Sequence, residues 1–224
     1  MRGLFVSGTD TGVGKSILSA ALLAAMRAAG EPVRAHKPVV TGLDEPPGDW
    51  PADHELLGFA AGMSPEQVAR PRYGPAVSPP LAAELAGDPV NAAELIAAAR
   101  AAGNEDTVIV EGVGGLLVPL AADFSVCDLA VELGLGVVIA ARPGLGTINH
   151  TLLTLEAARA ADLDVRAVVL TPWPEDPSAL ERSNRETIAR MGEVEVNTLA
   201  RASGPQIAEL ARAGAALPWR RWLS

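Results

Sequence analysis

Gly8-Thr9-Asp10-Thr11-Gly12-Val13-Gly14-Lys15-Ser16 follows the apolar run Leu4-Phe5-Val6 and opens a helix-forming stretch, Ile17 to Ala29. A glycine-rich turn between a buried strand and a helix is a phosphate cradle. Its backbone N–H groups and the positive end of the helix converge on the same oxygens. Lys15 adds a mobile positive charge for the terminal phosphates, and the Ser16 hydroxyl adds an oxygen ligand for Mg2+. The usual motif has four residues between its first glycine and Gly-Lys-Ser/Thr, whereas five separate Gly8 from Gly14. A glycine-rich turn without a ligand would need neither that strand nor that helix.

Composition points to a second site residue. The 224 residues include sixteen arginines but only two lysines, Lys15 and Lys37. A chain that otherwise uses arginine has kept a compact, flexible ammonium at two places only. Lys15 lies in the phosphate loop, so Lys37 becomes the candidate for a second active-site charge. The net charge of -9 argues against general nucleic-acid binding. An anionic nucleotide must therefore find a local positive site. The lone Cys127 excludes an intramolecular disulfide framework and any cysteine-rich metal site; it reads as a small core residue near a helix start. No apolar run has membrane-spanning length, and no leader pattern precedes Leu4, so a cytoplasmic location is expected.

Nearly half the residues are apolar, enough for one large α/β domain over residues 1–224. Strand-like runs at Leu4 to Val6, Val33 to His36, Thr107 to Val110, Gly136 to Ala141, Val165 to Leu170 and Val194 to Val196 alternate with alanine- and leucine-rich helical stretches. Such alternation predicts a single-domain, mostly parallel β-sheet with helices on both faces, and functional loops at the carboxyl ends of the strands. Residues 43–52 and 71–80 are rich in proline, glycine and acidic residues and read as excursions from the sheet. Trp219-Arg220-Arg221-Trp222 reads as tail packing with exposed arginines.

Polar groups gather where strands should end. Lys37 and Thr41 follow the second strand in Lys37-Pro38-Val39-Val40-Thr41-Gly42, and Glu111 follows the third in Val110-Glu111-Gly112-Val113-Gly114-Gly115. Asp53 opens a helix; with Ser16 and Glu111 it can complete a hard-oxygen set for Mg2+, although a helix N-cap explains Asp53 equally well. Glu111 at a strand end before glycines has little packing value. His36, His54 and His150 share no metal-ligand spacing. Gly144-Leu145-Gly146-Thr147-Ile148-Asn149-His150 precedes a long helix, whose start suits a carboxylate or phosphate. Thr147 or Asn149 acting as an ordinary capping residue accounts for it as well.

In order and spacing these four motifs resemble dethiobiotin synthetases, over residues 1 to about 190. The resemblance implies Mg2+-dependent use of ATP to close a ureido ring on 7,8-diaminopelargonic acid. One amine captures CO2 as a carbamate, ATP phosphorylates the carbamate, and the second amine closes the ring, releasing ADP and phosphate. It further implies that Lys15 holds the phosphates together with Gly12, Val13, Gly14, Ser16 and Ile17, with Gly112 and Gly114 nearby. Lys37 would stabilise carbamate and transferring phosphoryl, Thr11 and Thr41 would place the diamine, and Ser16, Asp53 and Glu111 would form the metal set. Gly146, Thr147 and Asn149 would take the substrate carboxylate across a homodimer interface.

The chain departs from the family at the base-reading positions. Many members carry Asn-Asp where this chain has Thr171-Pro172. A threonine lacks the paired donor and acceptor of an amide, and proline has no N–H, so a looser preference among nucleoside triphosphates follows. A later Pro-Trp-Leu of some members aligns with Asn197-Thr198-Leu199, which are expected near the base. The alternative reading is a partitioning-type ATPase acting as a dimerising switch. Such proteins carry a further lysine early in the loop, where this chain has Thr9-Asp10-Thr11.

Overall fold

The computed structural model describes residues 1–46 and 48–224. In chain order these form β1 (Gly3–Gly8), α1 (Lys15–Ala28), β2 (Val33–His36), α2 (Asp53–Ala61), α3 (Pro65–Val68), α4 (Pro79–Ala86), α5 (Ala92–Ala102) and β3 (Thr107–Glu111). There follow β4 (Pro119–Ala121), β5 (Phe124–Ser125), α6 (Val126–Leu133), β6 (Gly136–Ala141), α7 (Thr147–Ala160), β7 (Val165–Trp173), α8 (Ala179–Gly192), β8 (Val196–Ala200), α9 (Ile207–Ala215) and α10 (Trp219–Trp222). Six strands make one sheet in the order β2-β3-β1-β6-β7-β8, and every pairing in it is parallel. β4 and β5 form a separate antiparallel pair.

The pleat explains why both faces carry helices. In β1, Leu4 and Val6 enter one apolar cluster with Leu18 and Leu22 of α1, Leu56 of α2 and Leu210 of α9, while Phe5 enters the other. β6 repeats this: Val138 and Ala140 face the first cluster, and Val137, Ile139 and Ala141 face the second, beside Leu129 of α6 and Leu155 of α7. A strand buried on both faces reads as a continuous apolar run because it has no solvent side. Each fully buried leucine in these layers contributes about 1.5–3 kcal/mol. Trp219 and Trp222 are buried in the first cluster while Arg220 and Arg221 are exposed, as the tail motif predicts.

Several boundaries differ from the sequence reading and move site residues: β1 runs on to Gly8, and Glu111, expected after the third strand, is the last residue of β3. The first helix begins at Lys15 because Gly14 adopts a left-handed φ of 94°, which ends the loop one residue before the lysine. Lys15 and Ser16 therefore belong to the first helical turn, where amides have no partner in the helix. β7 runs on to Trp173, so Thr171 and Pro172 are strand residues rather than residues after a strand. The last strand is Val196–Ala200 rather than Val194 to Val196; Glu193 closes α8 in a left-handed conformation, and the chain needs two further residues to reach the sheet.

The excursions have structure of their own. Gly42 N–H donates to Pro75 O, Tyr73 N–H to Val40 O and Asp44 N–H to Gly74 O. Residues 40–44 and 72–75 thus run together as a flap over the carboxyl end of β2. Within 43–52, residue 47 lies outside the described residues.

Candidate active site

The phosphate loop, the segments after β2 and β3, the start of α2 and the flap enclose one cavity of about 760 Å³. Thr11, Gly12, Gly14, Lys15, Ser16, Ile17, Lys37, Thr41, Asp53 and Gly114 all line it. Its place at the carboxyl ends of the central parallel strands is where such sheets bind ligands. Val39, Leu56, Val77 and Val118 give the remaining wall an apolar lining.

Four polar side chains close on one another at its floor. Ser16 Oγ donates to Asp53 Oδ1 at 2.7 Å and lies 2.8 Å from Glu111 Oε1. Lys37 Nζ lies 2.5 Å from Glu111 Oε1 and 2.7 Å from Asp53 Oδ2. Glu111 ends β3 fully buried, and its Oε2 has no hydrogen-bond partner. Lys15 is also buried, and its ammonium donates to the Asp10 carbonyl at 2.9 Å. A side chain at Gly8 would sit 3.0 Å from the Lys15 stem, so the first glycine of the motif leaves room for the lysine to fold back over the loop.

These surroundings set the charges. Burial pushes Lys37 down, but the carboxylates of Asp53 and Glu111 outweigh it and hold the ammonium above its ordinary range. Burial alone would raise Asp53; Lys37 and the Ser16 hydroxyl bring it down to about 2, so it is ionised at neutral pH. Lys15 moves the other way, lowered to about 8, mainly by burial and against the pull of Glu111. A phosphate beside it favours the charged form, so ligand binding raises this value and takes up a proton above pH 8. Nucleotide affinity should hold steady below pH 8 and then weaken by up to about tenfold per pH unit. Calorimetric titrations in two buffers of different ionisation enthalpy measure the proton uptake directly.

The residues fit a magnesium ion. Asp53, Glu111 and Ser16 present hard oxygens together, and Glu111 Oε2 is a buried acceptor without a donor. Two carboxylates and a hydroxyl are too few for a closed protein cage, and no cluster of three or more His, Cys, Asp or Glu side chains able to hold a metal occurs among the described residues. That suits Mg2+, which keeps waters and phosphate oxygens in its shell. Asp53 is the first residue of α2 and Ala52 is the cap, so the N-cap alternative for Asp53 falls.

Other expected residues lie elsewhere. Val13 and Leu199 are buried in the apolar core, leaving only their backbone for a ligand. Gly112 is backed by Val126 and Phe5, behind the floor. Thr171 is buried, and a side chain on Gly14 would meet its methyl at 2.9 Å, so Thr171 packs under the phosphate loop. Asn197 donates its side-chain amide to Glu195 at 2.6 Å. Asn197, Thr198 and Leu199 lie inside β8, which ends at Ala200, and just beyond it Arg201 N–H donates to Trp173 O. Gly146 caps α7 in a left-handed conformation with no side-chain cap, so neither Thr147 nor Asn149 acts as the capping residue. This helix start lies beside Leu145, 91% exposed, and near a second groove of about 490 Å³ that includes Thr9, Asp10, Leu117, His150 and Leu153.

Ser78 and Trp50 line the main cavity without having been expected there. Ser78 is the N-cap of α4 and makes no side-chain capping bond, so its hydroxyl is uncommitted. Ser78-Pro79-Pro80 is an N-cap followed by proline, a helix-start signal within an excursion.

The family model described as an AAA domain matches residues 2–202. A protein of Anaeromyxobacter sp. (strain Fw109-5) named ATP-dependent dethiobiotin synthetase BioD is 43% identical over 206 residues, covering 87% of this chain and 91% of that protein. Proteins of the same name from Mycobacterium sp. (strain KMS) and Haloferax mediterranei are 42% and 39% identical, each covering 87% of this chain and 86% and 82% of their own lengths. The chain belongs to the dethiobiotin synthetase family. It is thus an ATP-dependent ligase of the phosphate-loop class. Among solved structures, a ParA family ATPase from Chlorobium tepidum TLS aligns with TM-score 0.58 at 13% identity, over 96% of this chain and 98% of that one. Cobyrinic acid a,c-diamide synthase from Mycobacterium smegmatis aligns with TM-score 0.54 at 18% identity, over 100% and 96%. Those two likenesses establish the fold alone.

Proposed function

We propose that the chain acts in biotin biosynthesis, joining CO2 and 7,8-diaminopelargonic acid into dethiobiotin with ATP and Mg2+. The observation that carries this reading is the meeting of both lysines in one cavity, with room beside the phosphate loop for a second substrate. One amine adds to CO2 and loses a proton to give a carbamate. A carbamate oxygen attacks the γ-phosphorus, ADP leaves, and the second amine attacks the carbonyl carbon as phosphate departs. Phosphoryl transfer of this kind needs positioning and charge stabilisation rather than a protein nucleophile.

Lys15 and the first-turn amides of α1 hold the phosphates. Two of the three Lys37 donors are taken by Asp53 and Glu111, which aims the third into the cavity at carbamate and transferring phosphoryl. Thr11, the position gained by lengthening the loop, and Thr41 flank the diamine. Ser16, Asp53 and Glu111 would hold Mg2+, which supplies charge neutralisation between the phosphates when bound. The amides of Gly146, Thr147 and Asn149 receive the substrate carboxylate from a second copy, which also covers Leu117, Leu145 and Leu153. A cytoplasmic setting suits these soluble substrates, and no helix among the described residues is long and apolar enough to cross a membrane.

Thr171 has its methyl against Gly14 and Pro172 has no N–H, so no side-chain amide reads the base at these positions. Purified protein supplied with diaminopelargonate, bicarbonate and Mg2+ should form dethiobiotin with ATP, CTP and GTP at rates within about tenfold of one another. Specific activity should fall on dilution as the dimer separates. No product with any triphosphate, and hydrolysis indifferent to the diamine, would overturn the assignment and favour a switch ATPase.

A further inference from the structure

The segment before Asp53 places an aromatic ring at the cavity wall. Trp50 lines the cavity, half-buried, and its inner side packs on the apolar cluster shared by α1 and α2. Three residues later comes Asp53, whose carboxylate meets both Ser16 and Lys37. The link between them is stiff: Pro51 fixes its own φ, and Ala52 N–H donates to Glu55 Oε2 at 3.1 Å, locking the start of α2. Trp50 therefore cannot shift far without moving Asp53. Pro51, Val77 and Pro79 line the same cavity, Val77 and Pro79 from the side of the flap, whose two halves are joined by backbone hydrogen bonds.

A ring at this place has little to recognise in a phosphate but much to exclude. The chemistry proposed above passes through a carbamic-phosphoric anhydride, which water can attack at phosphorus or carbonyl carbon. Either attack releases phosphate and returns a carbamate, which loses CO2 and regenerates the starting amine. The net reaction is then hydrolysis of the triphosphate to diphosphate and phosphate, with no ring formed. Polar groups crowd the cavity floor, so water must be kept out by the apolar wall.

We propose that Trp50 is a positioning residue that shields the activated carbamate from water and so couples triphosphate cleavage to ring closure. This inference rests on the ring-closing reading above. The ring shares the lining of this cavity with Pro51, Val77 and Pro79 and with Lys37 and Thr41.

The test is a stoichiometry. Phosphate release and dethiobiotin formation are measured together, at saturating diamine, bicarbonate and Mg·ATP, for the wild-type protein, Trp50→Phe, Trp50→Leu and Trp50→Ala. Wild type and Trp50→Phe should release about one phosphate per ring, whereas Trp50→Leu and Trp50→Ala should release about three or more. The excess should require the diamine, because water intercepts the anhydride and not the free triphosphate. Loss of a merely structural tryptophan lowers both products in step. A ratio that stays at one in both Leu and Ala variants overturns the proposal, as does excess hydrolysis independent of the diamine. Trp50→Leu keeps apolar bulk against α1 and α2 and decides the matter should Trp50→Ala not fold. A wild-type protein that makes no dethiobiotin would instead sink the ring-closing reading itself.

Discussion

Replacing Lys37 with glutamine should lower kcat for dethiobiotin formation by about 10²–10³-fold while changing the nucleotide Kd by less than about threefold. The two lysines divide the work by position. Lys15 leaves α1 next to the phosphate loop, where it serves ground and transition states alike. Lys37 enters from the neighbouring end of β2, buried between two carboxylates that fix its charge. Interactions that strengthen only as charge moves onto the transferring group appear in kcat rather than in binding. Glutamine keeps a donor, on a side chain one bond shorter, but removes the charge. With the ammonium gone, the buried Glu111 and half-exposed Asp53 carboxylates face a neutral amide and attract a cation more strongly, so the variant should need less Mg2+ for half-maximal activity. Stopped assays over a nucleotide titration, with Kd measured separately by calorimetry, distinguish the outcomes. A collapse of nucleotide binding with turnover per bound nucleotide preserved would reassign Lys37 to phosphate binding.

The parts of the site legible in the sequence are those whose residue type and neighbours admit one physical explanation. Glycines before a lysine and serine, after a buried strand, define a phosphate turn, and the cavity forms around that turn. The scarcity of lysine singled out Lys37, and a carboxylate beside glycines at a strand end singled out Glu111; the structure places these two 2.5 Å apart. Asp53 was ambiguous because a helix-opening aspartate serves capping and metal binding equally well. Its place one residue after the Ala52 cap removes the capping explanation, and its contacts put it beside Ser16 and Lys37.

What stayed hidden lay where periodicity gives no guide. Trp50 and Ser78 belong to excursions whose sequence carries neither helix nor strand periodicity, so the pattern does not say which side chains turn inward. At the last strand the difference is one of length. Val194 and Val196 alternate with glutamates and mimic a strand, yet pairing with β7 carries the strand to Ala200, through Thr198 beside Leu170. Tertiary pairing sets strand ends, and a shift of a few residues moves side chains between core and ligand.

Removing the Glu111 carboxylate should produce the largest change in stability. Glu111 is fully buried, accepts from Lys37 and lies 2.8 Å from the Ser16 hydroxyl, so Glu111→Ala leaves a buried ammonium with Asp53 as its remaining anionic partner and opens space beneath it. Breaking a buried pair on one side costs about 3–5 kcal/mol, because the surviving charge keeps its desolvation penalty. For a chain of this size each kcal/mol moves Tm by about 2–4 °C, so a fall of about 6–20 °C is expected. Glu111→Gln retains the volume and an acceptor for Lys37 and should recover part of that loss. It should not recover the metal response: Oε2, a buried acceptor without a donor, becomes an amide nitrogen or a neutral oxygen. The rise in Tm that Mg2+ adds to ADP in the wild-type protein should therefore vanish in Glu111→Gln as well as in Glu111→Ala. Thermal melts of the three proteins, with ADP alone and with ADP and Mg2+, separate the two roles. A Glu111→Ala variant that melts within about 1 °C of wild type would show that Lys37 is held by Asp53 alone. A full Mg2+ response in Glu111→Gln would remove Glu111 from the metal set and leave Ser16 and Asp53 to carry it.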